Sequence, residues 1–258
     1  MERLEHHNQR SGIGANALRT WGLLFLAAGV AGRGIIQTHL LGIGQLDAAQ
    51  LLEVISASDN AMILATLSLV LQAMETCAVP IFAILLVEGV RHTAGFFAYL
   101  LRVGGLALLC ELPYNLAFSG KVLEFGSRNP VFGLLLCLVA MYFFQRYEGL
   151  SFRNVLIKVV VTVSALLWCE MLKIEFGFSL VLLVIVLWVF RNKPLYRNFA
   201  GAVAVILCTA ISPFFLAAPM GFLAVHFYNG EKGTNSRLVT YLAYPALLLA
   251  AAIAGILI

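Results

Sequence analysis

The sequence has few charged residues: Lys, Arg, Asp and Glu make up only 12% of its 258 residues, whereas 61% are hydrophobic. Its mean hydropathy is +0.93. A soluble domain carries about a quarter charged residues, so this chain could not cover its surface in water. The composition therefore excludes a soluble globular protein and makes the lipid bilayer the expected surroundings. The net charge of +4 fits basic membrane loops, so nucleic acid is not expected as a partner.

The sequence also lacks paired cysteines. Its five cysteines each lie in an apolar run, and none forms a CxxC or CxxH pair. They are Cys77, Cys110, Cys137, Cys169 and Cys208. This pattern favours packing residues over disulfides or a zinc site, and no metal is predicted.

Long apolar stretches account for most of the chain. They cover roughly residues 18–43, 61–90, 96–117, 130–145, 155–170, 177–191, 199–213, 214–228 and 239–258, and several approach the ~20 residues that cross a bilayer. The pair around Pro213 is the least regular: we expect Pro213 and Pro219 to separate two segments, and eight spans are the alternative to nine. The sequence thus predicts an all-α polytopic membrane bundle with a cytoplasmic segment, 1–17, and one transmembrane domain, 18–258.

The distribution of Lys and Arg predicts the orientation. With nine spans and a cytoplasmic N-terminus, the inner side receives twelve of these residues and the outer side three. The inner ones are Arg3, Arg10, Arg19, Arg91, Arg146, Arg153, Lys158, Arg191, Lys193, Arg197, Lys232 and Arg237; the outer ones are Lys121, Arg128 and Lys173. Cytoplasmic loops carry the excess of positive charge, so we expect the N-terminus inside and the C-terminus outside.

Ionisable residues inside the spans are candidates for function, because each costs about 2.5 kcal/mol or more at the bilayer centre. His39 lies in the first span, where it is either functional or a core histidine bonded to a carbonyl group. Glu75 lies within the second span. Glu88 and His92, four residues apart, share a helix face, but two ligands do not make a metal site and an interfacial pair is the expected arrangement.

The stretch CELPYNLAF, residues 110–118, places polar residues in an apolar span. Glu111 and Asn115 are four residues apart, with Pro113 between them. Proline removes a backbone donor, so the sequence predicts a helix that kinks or ends here and forms a polar pocket. Asn129 is expected to close the far side of the following loop. Arg102 lies nine residues before Glu111, and we expect these two side chains to have separate partners.

Several motifs resemble the TraX family of membrane acetyltransferases. The runs are PIFAILLVEGVRHT (80–93), YLLR (99–102), ELPYN (111–115), NPVF (129–132) and YNGEKG (228–233). A final Tyr-Pro pair also matches. The resemblance extends over nearly the whole chain and is most specific between residues 80 and 132.

The resemblance implies transfer of an acetyl group from acetyl-CoA to an amine or hydroxyl in the bacterial cytoplasmic membrane. The acceptor, a protein N-terminus or a glycan, and the oligomeric state stay open. His39 is the candidate base, because imidazole titrates near working pH; Glu111 or Glu75 would orient it. Arg102 and Asn115 would supply donors to the developing oxyanion.

The remaining candidates would bind acetyl-CoA or the acceptor. They are Glu75, Glu88, Arg91, His92, Tyr114, Asn129, Arg146 and Arg153. Among them, Arg91, Arg146 and Arg153 would meet the CoA diphosphate from the cytoplasm, and their alternative role is that of ordinary anchors at the inner membrane surface.

Three positions depart from the family pattern. Thr38 stands where the family has an acidic neighbour of the histidine, Glu75 lies near its usual Gly-Arg, and Ala246–Leu248 replace a histidine after the final Tyr-Pro. The alternative function is therefore a degenerate relative that kept the fold and serves as a binding, transport or scaffold component.

Overall fold

The structure is a computed structural model, and it describes residues 12–42, 56, 58–231 and 237–257, with the side chains of 237–240 outside the description. Within these residues the chain is helical, and the β-structure consists of two isolated bridges. The predicted all-α class is confirmed. Predictions that concern Arg3, Arg10 and Lys232 lie outside the described residues.

Ten α-helices follow one another along the described chain. They are α1 (Ala15–Gly29), which continues as a π-helical segment (Val30–Leu40), α2 (Asp59–Thr76), α3 (Ala78–His92), α4 (Phe96–Ser119), α5 (Val131–Arg146), α6 (Phe152–Met171), α7 (Gly177–Val189), α8 (Pro194–Leu207), α9 (Gly221–His226) and α10 (Arg237–Leu257). Short 3₁₀ turns, Cys208–Ala210, Pro213–Leu216 and Ala218–Met220, connect α8 to α9.

Four helical stretches in the described residues are long and apolar enough to cross a membrane: Ala15–Leu40, Asp59–His92, Phe96–Ser119 and Phe152–Met171. Five shorter apolar stretches accompany them. Together they correspond to the nine apolar segments predicted from the sequence. The predicted separation at Pro213 is confirmed, because α8 ends at Leu207 and the 3₁₀ turns around Pro213 separate it from α9. The number of segments that cross the bilayer stays a prediction.

The prediction that the helix ends at Pro113 is wrong, because α4 runs through this residue to Ser119. The alternative, a kink at Pro113, stays a prediction. Proline removes one helical hydrogen bond, and a membrane helix tolerates that loss where neighbouring helices pack around it. Pro113 is buried, as are Tyr114 and Asn115 beside it. The helix ends instead at Gly120, whose φ of 66° gives the left-handed cap that glycine adopts without strain.

Helices α3 and α7 form the centre of the bundle, since most of their side chains are buried. Helix α7 packs between α3, α5, α6 and α8, and α10 packs against α4 and the π-helical segment. Helix α6, by contrast, buries only Ala165 and Cys169 and so presents an apolar outer face suited to lipid. All five cysteines are free and buried, which confirms them as packing residues.

Two backbone contacts define the two ends of the bundle. Ile13 pairs with Tyr228, with a hydrogen bond of 2.8 Å from the Ile13 amide to the Phe227 carbonyl; we call this the amino-terminal end. Arg128 pairs with Ile174, with a hydrogen bond of 2.9 Å from the Glu175 amide to the Arg128 carbonyl; we call this the loop end. The loops after α4 and α6 therefore meet at the loop end.

Candidate active site

A cavity of about 630 Å³ lies between α1, α3, α4, α5, α7 and α10. Apolar side chains form most of its wall, among them Leu23, Val79, Phe82 and Leu106. Its volume falls in the range of small-molecule sites, which are mostly apolar with a few placed polar groups. These polar groups lie at the two ends of the cavity.

The first end is exposed and basic. Arg19, His92 and Arg102 line it, and the side chains of His92 and Arg102 are exposed. Tyr228 also lines this end. Because Tyr228 pairs with Ile13, this mouth of the cavity lies at the amino-terminal end.

Glu88 holds several cations beside this mouth. Its Oε1 atom lies 3.0 Å from Nη1 of Arg91 and 3.4 Å from Nη1 of Arg197, and its Oε2 atom lies 3.4 Å from Nε2 of His92. The predicted pairing of Glu88 with His92 is confirmed. Arg197 is only 7% exposed. From the sequence it is expected to be a loop cation on the inner side, and its contact with the buried Glu88 was not predicted.

The second end of the cavity is buried and acidic. Glu75 lines it together with Tyr244 and Phe176, and Glu75 is only 3% exposed. A Cβ atom placed on Gly29 would lie 2.1 Å from Cδ of Glu75. The carboxyl group therefore occupies space that only glycine leaves free on α1.

Arg33 lies behind Glu75, on the π-helical segment. Its Nη2 atom is 3.8 Å from Oε1 of Glu75, and its Nη1 atom pairs with Oε1 of Glu175. The guanidinium also lies 4.0 Å from the centre of the Phe118 ring, a cation–π contact. The π-helical segment that carries Arg33 packs against α2, the helix on which Glu75 lies.

Tyr114 connects these buried charged side chains to the loop end. Its hydroxyl donates a hydrogen bond of 2.9 Å to Oε2 of Glu175. The Tyr114 oxygen lies 2.8 Å from Oγ of Ser127. Because the single phenolic hydrogen is committed to the carboxylate, Ser127 donates in that second bond. We call Arg33, Glu75, Tyr114, Ser127 and Glu175 the floor cluster.

Glu111 and Asn129 meet beside the floor cluster. The sequence had placed both residues around one polar pocket, with Asn129 at the far side of the loop, but it had not predicted their contact. Nδ2 of Asn129 donates to Oε2 of Glu111 at 2.6 Å and to the Ala107 carbonyl at 3.0 Å. Arg128 pairs with the other carboxylate oxygen of Glu111. Oδ1 of Asn129 accepts from the Val131 amide at 3.1 Å and so caps the start of α5.

Asn115 and Arg102 have partners separate from this pair. Nδ2 of Asn115 donates to the Val122 carbonyl at 3.4 Å, and no described group bonds its buried Oδ1 atom. Arg102 lies near the Tyr99 ring at the mouth, 6.0 Å from its centre. The prediction that Arg102 and Glu111 have different partners is confirmed.

His39 does not contact either carboxylate that was expected to orient it, and that expectation is wrong. Arg33 and Arg128 carry permanent charges and pair with Glu75 and Glu111 instead. The His39 ring packs against α10, where a Cβ atom on Gly255 would lie 2.2 Å from it. Its buried Nε2 atom has no hydrogen-bond partner among the described residues. His39 does not line the cavity.

The other predicted CoA contacts lie outside the cavity wall. Arg146 and Arg153 are exposed at the end of α5 and the start of α6. Arg91 reaches the mouth only through its contact with Glu88. In the described parts of the chain, no three His, Cys, Asp or Glu side chains form a group suited to a metal ion.

The comparisons with known proteins identify the family. A family model described as TraX protein matches residues 50–254. The chain belongs to the TraX family. The match includes Glu75, Glu88 with its three basic partners, and the whole loop from Gly120 to Pro130. It begins after Arg33 and His39. No curated protein and no solved structure matches the chain significantly.

Two members of the floor cluster, Ser127 and Glu175, were not predicted from the sequence. Glu175 and Ser127 lie in loops and belong to no motif that was considered. The signal that could have found Glu175 was Arg33, since an arginine inside an apolar span requires a buried carboxylate near it. Tyr244, in the final Tyr-Pro pair of the sequence, also lines the cavity and was not among the predicted site residues.

Proposed function

We propose that this TraX family member is a membrane-embedded acetyltransferase that takes acetyl-CoA into the cavity and passes the acetyl group to an amine or hydroxyl. The observation that carries the proposal is one cavity with an exposed basic mouth, an apolar wall and a buried carboxylate at its far end. Acetyl-CoA has the matching parts in the same order: charged phosphates, a slender pantetheine arm and a reactive thioester.

The basic mouth would hold the phosphates. Arg19 and Arg102 line it, and arginine binds phosphate through paired N–H donors. Arg91 and Arg197 stand behind them, joined by Glu88. The three positive side chains Arg91, Arg146 and Arg153 were the predicted phosphate contacts; Arg19 and Arg102 suit that role better because they line the cavity.

The proposed orientation places the mouth in the cytoplasm, where acetyl-CoA is made. The mouth lies at the amino-terminal end, which the excess of Lys and Arg assigns to the inner side. The loop end, with Lys121, Arg128 and Lys173, would then face outward. The bacterial cytoplasmic membrane is the proposed location.

The oxyanion of the tetrahedral intermediate needs donors near the thioester. Tyr244 lines the far end of the cavity next to Glu75, and its hydroxyl group suits that role. The roles given to His39, Glu111 and Asn115 stay predictions; none of the three lines the cavity. If these three residues take part in acetyl transfer, they act through the floor cluster, or the helices have to rearrange so that they reach the cavity.

The experiment that tests the proposal is acetyl-CoA binding by the purified chain in detergent, measured by calorimetry, with release of free CoA as the second readout. Arg102→Gln should weaken binding about 10-fold or more, because a hydrogen bond to a charged group contributes about 1.5–3 kcal/mol. Arg146→Gln is the matched control, an exposed arginine outside the cavity. Absence of binding by folded wild-type protein would contradict the proposal and favour the degenerate relative.

A further inference from the structure

We propose that the carboxylate of Glu75 is the general base of this site. The inference rests on the proposed function, because it names the group that accepts a proton while the acetyl group is transferred. It replaces His39 in that role. Three observations support it: the position of Glu75, its unused acceptor capacity and the charge balance behind it.

Glu75 occupies the position that a base requires. It lines the buried end of the cavity, opposite the basic mouth, so a thioester held by its phosphates at the mouth would point toward it. Gly29 leaves the space in which the carboxyl group lies, as the 2.1 Å approach to a Cβ atom there shows. A general base has to reach the proton that it removes, directly or through one water molecule. His39 does not line the cavity.

Glu75 also has free lone pairs, in contrast to the other carboxylates around the site. Glu175 accepts from Tyr114, Glu111 accepts from Arg128 and Asn129, and Glu88 accepts from Arg91. No described residue donates a hydrogen bond to Glu75; its nearest cation, Nη2 of Arg33, is 3.8 Å away. Among these four carboxylates, Glu75 therefore keeps the most capacity to accept a proton from a substrate.

Arg33 and Glu175 keep the charge behind Glu75 balanced. Nη1 of Arg33 pairs with Glu175, and Phe118 covers the guanidinium. The ion pair stays neutral as a unit whether Glu75 is charged or protonated. Arg33 thus acts as a positioning residue: its Nη2 atom attracts the Glu75 carboxylate without forming the hydrogen bond that would occupy it.

The step balances without a further reactant. The acceptor nitrogen or oxygen attacks the carbonyl carbon of acetyl-CoA, a new N–C or O–C bond forms, and the C–S bond breaks. The proton of the attacking N–H or O–H group moves to Glu75. The CoA thiolate leaves and takes that proton from Glu75, so free CoA is released and the carboxylate is restored.

The test uses the full chain in detergent with glycinamide as the probe acceptor, and it measures acetyl-CoA binding and CoA release separately. Glu75→Gln should bind acetyl-CoA with a Kd within about threefold of wild type, whereas kcat should fall about 100-fold or more. Glu75→Ala should lose the same activity and regain part of it when formate is added, because formate can occupy the vacated site and accept the proton. Glu170→Gln, at an exposed glutamate on α6, is the control and should leave both readouts unchanged.

Each other outcome has a distinct meaning. If wild-type protein neither binds acetyl-CoA nor releases CoA, the proposed function fails and the base assignment with it. If wild type turns over and Glu75→Gln keeps its kcat, the proposed function stands and the base assignment is overturned. Loss of acetyl-CoA binding in Glu75→Gln would assign the residue to substrate binding and overturn the base assignment. An absence of formate rescue in folded Glu75→Ala would also overturn the base assignment.

Discussion

Asn129 donates a hydrogen bond of 2.6 Å from Nδ2 to Oε2 of Glu111, and so joins the loop before α5 to the middle of α4. Asn129 is fully buried, and its Oδ1 atom caps α5 through the Val131 amide. The Asn129 side chain thus holds the end of the loop, the start of α5 and the Glu111 carboxylate in place. The side-chain oxygen and nitrogen of Asn129 and both carboxylate oxygens of Glu111 have partners, which is the condition for polar residues to be tolerated in an apolar interior.

We expect this pair to stabilise the fold. Asn129→Ala and Glu111→Gln should each lower the free energy of unfolding by about 1–3 kcal/mol, because each leaves a buried polar group without its partner. Unfolding in detergent, followed by circular dichroism, measures the effect, and Lys121→Ala in the exposed part of the same loop is the control. If Glu111→Gln unfolds like wild type and yet loses CoA release, Glu111 acts in the reaction rather than in the fold.

Gly221 provides a test of the packing between α9 and α3. A Cβ atom there would lie 2.2 Å from the Cys77 carbonyl oxygen and 2.6 Å from Cγ of Pro80. Neither atom can move without shifting α3, so Gly221→Ala should destabilise the protein by about 1–3 kcal/mol. Gly105→Ala is the matched control, since nothing lies within 4 Å of its added methyl group. Equal unfolding of the two variants would contradict the packing of α9 on α3.

The mouth of the cavity should recognise the phosphates of acetyl-CoA and not its pantetheine arm. Arg19→Gln should therefore weaken binding of acetyl-CoA about 10-fold or more, and it should leave binding of acetyl-pantetheine, which lacks the nucleotide, unchanged. Calorimetry with both ligands measures the difference, and Arg153→Gln outside the cavity is the control. Equal weakening toward both ligands would mean that Arg19 shapes the cavity and does not bind phosphate.

The stability of the loop after α4 should depend on pH through Glu124. The backbone amide of Gly126, the side chain of Lys121 and the amide of Phe125 donate hydrogen bonds to Glu124 and lower the pKa of its carboxyl group. A lowered pKa in the folded state stabilises the loop above the ordinary value of Glu, and this contribution is lost as the pH falls through the folded pKa. A carboxyl NMR titration should find Glu124 below the usual range and closer to it in Lys121→Ala. A titration of Glu124 at its ordinary value would contradict these contacts.

The sequence predicted the helical segments because hydrophobic length is a local property. The segments around 96–117 and 130–145, for example, differ from α4 and α5 by one or two residues. The placement of Glu111 and Asn129 around one pocket was also predictable, since the two residues flank one short loop. Pro113 was misjudged because its effect depends on the helices that pack around α4.

The floor cluster could not be predicted in full, because its members come from distant parts of the chain. Arg33 precedes α2, Tyr114 is on α4, and Glu175 follows α6. The sequence shows that Arg33 requires a partner, but it does not show which of several carboxylates the fold brings near. For the same reason the sequence could not show that Glu75 and Glu111 have arginine partners, Arg33 and Arg128, and do not contact His39.

The ion pair of Arg33 with Glu175 allows a direct test of the floor cluster. Arg33→Met should destabilise the protein by about 3–5 kcal/mol, because it leaves two buried carboxylates without their cation. Adding Glu175→Gln to Arg33→Met should recover part of this loss, since the second change removes one uncompensated charge. Unfolding of the wild type, the two single variants and the double variant in detergent gives a coupling energy, which we expect to be about 0.5–3 kcal/mol. The same cycle on the exposed Lys121–Glu124 pair should give a smaller coupling, below about 1 kcal/mol, because solvent screens it. If the Arg33–Glu175 cycle is additive, the two side chains do not form a pair in the folded protein, and the proposed charge balance behind Glu75 fails with it.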